Sequence, residues 1–115
     1  MGRTDAARKQ KLLDTLNDLA NYDPETGEFT WRPRLGYQGA LLQRSGKAMG
    51  CIDQMGYVLL SVGNLKVRGH QAAWVMFHGS WPEGEIDHIN GVRSDNRIAN
   101  LRDVPRFINC QNRKK

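Results

Sequence analysis

The sequence predicts a small, single-domain α+β fold with an N-terminal helix, β-hairpins and a C-terminal strand–loop–strand–helix unit. Three observations carry this expectation. The chain has 115 residues, 39% hydrophobic and 25% charged, a composition that suits one globular domain with a modest core. Leucines near the N-terminus recur at helical spacing. Later segments alternate with a period of two between turns rich in Gly, Pro and Asn.

Residues 1–21 read as a helical arm, with Leu12, Leu13, Leu16 and Leu19 on one stripe of a helix over 5–20. Residues 22–80 read as a β-hairpin and helix scaffold. Its first turn is Asp23-Pro24-Glu25-Thr26-Gly27, where proline fixes φ and glycine accepts a positive φ. Residues 28–32 alternate, with Phe29 and Trp31 on one side, as in a half-buried strand. Residues 33–50 are glycine-rich and weakly patterned, and read as an irregular, partly mobile loop. Residues 57–62 and 65–68 flank Gly63-Asn64, a two-residue hairpin signal. After Gly69 the period becomes helical, placing His70, Ala73, Trp74 and Phe77 on one apolar face, and Gly79 supplies the stop. Residues 81–115 then give a strand over 85–89, an Asn90-Gly91 turn, a polar loop over 94–100 and a strand over 101–104. Pro105 suits the first turn of a last helix carrying Asn109.

Several function classes drop out on composition. The apolar runs are too short to cross a bilayer, and the charged N-terminus is unlike a signal peptide, so the expected location is the cytoplasm of the producing cell. Cys51 and Cys110 stand far apart in the sequence with no paired partner for a zinc knuckle. The charge is localised. Residues 1–92 are balanced, whereas 93–115 hold seven Lys or Arg against two Asp and carry the whole net +5. A basic cluster suits a polyanionic partner, and Arg93, Arg97, Arg102, Arg106 and Arg113 are the candidate phosphate contacts.

The chemistry concentrates in residues 81–112. Histidine, with an ordinary pKa of about 6.5, suits deprotonating water near neutral pH. A carboxylate and an amide oxygen are hard ligands for Mg²⁺ or Mn²⁺. Adjacent strand residues point to opposite faces. Asp87 and His88 therefore meet one phosphate only if the backbone bends or the phosphate lies at the strand edge.

In order and spacing, Ile86-Asp87-His88-Ile89-Asn90-Gly91, Asp95-Asn96-Arg97, Asn100-Leu101-Arg102 and Asn109 resemble the HNH endonucleases of phages and mobile introns, in the variant whose final histidine is asparagine. The likeness extends upstream through residues 22–27, Phe29-Thr30-Trp31-Arg32, Gly56-Tyr57, His70 and Trp81-Pro82. It implies a ββα-metal motif over 81–115 and a metal-dependent DNA endonuclease, nicking included, since one such site cuts one strand at a time. By the resemblance His88 is the general base, Asp87 and Asn109 are ligands to one divalent ion, Mg or Mn, and Asn100 ties down the loop that holds His88. The family's His-Arg pair is His70-Gln71 here.

Blander readings stand beside these. His70 reads as a hydrogen-bonded core histidine, Asn96 as a structural turn-former, and the three tryptophans as core. Two rival functions also remain: a DNA-binding module without cleavage, and a subunit that works only with phage or host proteins. No oligomeric state follows from the sequence.

Overall fold

The computed structural model describes residues 2–36, 39–62 and 65–105. Among them are two helices and seven short antiparallel strands, so the expected α+β class holds. Helix α1 (Gly2–Leu19) leads directly into β1 (Ala20–Tyr22), which pairs with β2 (Phe29–Trp31) around the Asp23–Gly27 turn. Gly27 sits there at φ 78°, a region that costs a residue without a Cβ little. A three-stranded sheet follows, β3 (Cys51–Ile52), β4 (Val58–Val62) and β5 (Leu65–Arg68). Then come α2 (Gly69–His78), β6 (Glu85–His88), a 3₁₀ turn over Ile98–Asn100, and β7 (Leu101–Val104) paired with β6.

The leucine stripe does what its spacing predicts: Leu12 and Leu16 are buried, and Leu13 and Leu19 lie half-buried beside them. They join Ala20, Phe29, Met49, Leu60, Val62, Val67 and Leu101 around α2. Burial of this apolar surface, at roughly 25 cal/mol per Å², is what holds three small sheets on two helices. Gly79 ends α2 in the left-handed region, its N–H bonding to the Val75 carbonyl, as the stop signal predicts.

Two local expectations change. The buried face of α2 is Gly69, Ala72, Ala73 and Val75, while Phe77 is exposed, because α1, β4 and β5 together enclose the small-residue side. Residues 46–49 are not irregular: they return along β2 through the bonds Trp31 N–H to Lys47 O and Met49 N–H to Phe29 O, which bury Met49. The expected Gly63-Asn64 turn lies outside the described residues; the strands on either side pair Val62 with Leu65. The expected C-terminal helix lies outside them too.

Candidate active site

Strand β6 belongs to a two-stranded sheet and pairs on one edge with β7. Residues 84–88, five in succession, line a cleft of about 430 Å³. A face of a strand would offer alternate residues; a run of successive ones means that the cleft follows the strand's edge away from β7. That geometry lets the neighbours Asp87 and His88 share one cavity, which His70, Tyr57, Arg68 and Arg93 also line.

His88 ends β6 and is nearly buried, at 9% exposure. Its Nε2 lies 3.0 Å from the side-chain oxygen of Asn96. With that oxygen accepting, Nε2 carries the proton and Nδ1 keeps its lone pair. Asn96 is itself fully buried, and its surroundings explain why it stays in place. Its carbonyl accepts a hydrogen bond from the Tyr22 hydroxyl, and burial pushes that hydroxyl's pKa well above the ordinary tyrosine value. The backbone of Gly27 packs on that of residues 96 and 97, where a Cβ would come within 2.5 Å of Arg97 N. Gly69, opening α2, lies so near that a Cβ would stand 2.6 Å from the Asn96 amide nitrogen. Asn96 was expected only to form a turn; its contact with His88 is tertiary, and the polar motif alone gave no signal of it.

Asn100 is buried and holds the loop between β6 and β7. Its side-chain oxygen accepts from the Asn90 N–H at 3.0 Å, and its amide donates to the Asn90 side chain and the Asp95 carbonyl, both at 2.9 Å. Its own carbonyl accepts from Ile89 N–H. The residue after His88 is thereby tied to the end of the loop.

Asp87 faces Arg102 across the sheet, and both guanidinium contacts, at 2.9 and 2.8 Å, fall on Oδ2. Arg97 is clasped by the Asp95 carboxylate at 2.8 and 2.7 Å, which holds the Asp95 carboxyl below the usual carboxylate range. Arg93 instead donates to the Met55 carbonyl at 2.7 Å and lies over the Tyr57 ring. Asn109, Arg106 and Arg113 lie outside the described residues.

His70 is not the hydrogen-bonded core histidine the sequence suggests. Its ring stands edge-on to His88 with centroids 5.1 Å apart, and its buried Nδ1 has no hydrogen-bond partner among the described residues. Burial, followed by the nearby His88 and Arg68, pushes its pKa down to about 4. Near neutral pH it is an uncharged wall of the cleft.

Among the described residues no three His, Cys, Asp or Glu side chains cluster to hold a metal. Asp87 thus offers one hard oxygen donor at the cleft. With an amide oxygen as second donor, such a set fits a hard divalent ion that keeps positions for phosphate and water, and does not fit a soft one.

A family model described as HNH endonuclease matches residues 67–111, the stretch from β5 through the cleft and past β7. A comparison with curated proteins finds no match. Among solved structures the chain resembles the HNH homing endonuclease I-HmuI, whose structure is described as showing DNA binding and cleavage; identity is 25%, the TM-score is 0.53, and 84% of this chain is covered. The chain spans about half of that protein's length, 52%. Residues 67–111 are thus similar in sequence to the HNH endonucleases, and most of the chain is similar in fold to an HNH homing endonuclease.

Proposed function

We propose that the chain is a metal-dependent DNA endonuclease that hydrolyses one phosphodiester bond at a time, with His88 as general base. The observation that carries this reading is the pairing of His88 with buried Asn96, next to Asp87 on the same strand edge. A histidine whose Nε2 is tied to an acceptor presents Nδ1 as the basic nitrogen, the state needed to take a proton from water. The activated water attacks phosphorus, the bond to the leaving sugar oxygen breaks, and that oxygen takes a proton from solvent. Asp87 and, on the resemblance, Asn109 would hold the divalent ion. When bound, that ion neutralises charge on the phosphate and the leaving oxygen. Asn100 keeps the β6–β7 loop closed and so fixes where His88 ends. For Arg102 to contact a phosphate it must leave Asp87, which makes it a switchable contact rather than a free one.

Supercoiled plasmid incubated with Mg²⁺ or Mn²⁺ tests the reading. The expected result is conversion to nicked circles, abolished in His88→Ala with DNA affinity retained within severalfold. Bound but uncut DNA would identify a binding module instead. Cutting that appears only after adding phage or host proteins would identify an assembly subunit.

A further inference from the structure

We infer that Arg68 and Arg93, both held against the Tyr57 ring, form a binding site for one backbone phosphate of the DNA strand that enters the cleft. The inference rests on the nuclease reading and adds to it the residues that grip the strand beside the base. The guanidinium of Arg68 lies 4.4 Å from the Tyr57 ring centre and that of Arg93 5.0 Å from it. The two arginines come from unrelated places, the end of β5 and the loop after β6, so their meeting on one ring is made by the fold. Cation–π contact fixes both groups and leaves their N–H edges able to bond to oxygen. Two like charges on one ring repel unless an anion lies between them.

Their counter-charges are weak. Asp53 approaches Arg68 only to 3.7 Å, and its Oδ1 is occupied by the N–H groups of Met55 and Tyr57. Arg93 donates to a backbone carbonyl, that of Met55. Arg97 and Arg102, by contrast, are each closed on a carboxylate at 2.7–2.8 Å. Helix α2 begins beside Arg68 with no side-chain cap and no acid in its first turn, and His70 and Gln71 of that turn line the same cleft. Its positive end adds to the attraction for an anion. The Tyr57 ring lies 6.3 Å from that of His88, so a phosphate gripped here belongs to the strand being cut. The sequence pattern gave no hint of Arg68 or Tyr57 in this role.

The test is fluorescence anisotropy of a labelled DNA duplex across a range of NaCl concentrations, in EDTA, so that cutting and metal binding do not enter. Each lost phosphate contact makes the slope of log affinity against log salt shallower by about 0.9. Arg93→Gln and Arg68→Gln are each expected to weaken binding and give part of that change, and the double variant the whole of it, about 0.9, because both arginines grip the same phosphate. Tyr57→Phe keeps the ring and the wild-type slope; Tyr57→Leu loses slope with melting temperature checked alongside. Arg44, which lies 4.3 Å over Trp31 and is not among the residues lining the cleft, is the control. An equal loss in Arg44→Gln would show diffuse charge and overturn the inference. So would an unchanged slope in Arg93→Gln, an exposed loop position, while wild type still binds and cuts. Failure of wild type to bind DNA at all would instead remove the nuclease reading itself.

Discussion

Replacing Asn96 by alanine should slow cutting through His88 alone. The side-chain oxygen of Asn96 is 3.0 Å from Nε2, and the site is closed to water on that side, with Asn96 1% exposed. Removing the acceptor leaves a buried N–H unpaired, at a cost of about 1–3 kcal/mol. His88 then escapes by turning or by moving its proton to Nδ1, and either loses the base. If the whole cost appears in the barrier, turnover at saturating DNA falls roughly 5- to 150-fold, less than for His88→Ala. Asn96→Asp separates positioning from mere packing. A carboxylate accepts the same bond and favours the charged imidazole, so the acidic limb of the pH–rate profile should move up by roughly one unit or more. Plasmid nicking rates across pH, with melting temperature and DNA affinity measured in parallel, give the answer. Wild-type rates in Asn96→Ala, or slowed Asn96→Asp with an unmoved pH profile, would refute the reasoning.

Other perturbations bear on the groups around it. Asn100→Ala removes three hydrogen bonds from the β6–β7 loop and should cost about 2–4 kcal/mol in urea unfolding; a loss below half of that would mean the loop closes without it. Arg102→Gln frees Asp87 Oδ2 and should lower the Mg²⁺ concentration for half-maximal cutting by about 2- to 5-fold, as expected for an exposed ion pair. An unchanged titration would count against Asp87 as a ligand. His70 is held neutral, its pKa lowered to about 4 from 6.5 by burial first and then by His88 and Arg68. The unfolded chain therefore binds the proton more readily, so this stability is complete above pH 6.5 and is lost as pH falls towards 4. It amounts to at most about 3 kcal/mol, and His70→Gln should flatten urea midpoints across that window. Gly27→Ala forces a Cβ against Arg97 N and Asn96 C at a φ of 78°. It should lower both melting temperature and nicking rate, although residue 27 lies outside the cleft.

What the sequence made legible was whatever repeats or stands in a tight motif. The stripe from Leu12 to Leu16 and the stop at Gly79 obey helical geometry, and Asp87-His88 with Asn100 falls at short, fixed spacing. Strand β1 escaped because three residues are too few to show a period. The return of residues 46–49 along β2 escaped because glycine and lysine conceal the one buried side chain, Met49. Phe77 escaped because the inner face of α2 is chosen by what packs on it, and small residues let α1 and β4 come close. The cleft residues Tyr57, Arg68 and His70 come from the turn before β4, from β5 and from α2, an encounter that no local pattern encodes.

The Tyr22–Gly27 turn acts on the β6–β7 loop from outside the cleft. Nothing in that turn lines the cleft. Yet Tyr22 donates to the Asn96 carbonyl, Pro24 accepts from Ile98 N–H at 3.0 Å, and Gly27 packs on the 96–97 backbone. Three contacts from six residues thus clamp the peptide that carries the partner of His88, and Gly69 closes the other side. A loop residue can orient a base only if its own backbone has nowhere to go; an asparagine on a free loop would pay its ordering entropy at each turnover. The upstream motif therefore belongs to the site as its support, and the two glycines are there because only a residue without a side chain lets the supports approach closely enough.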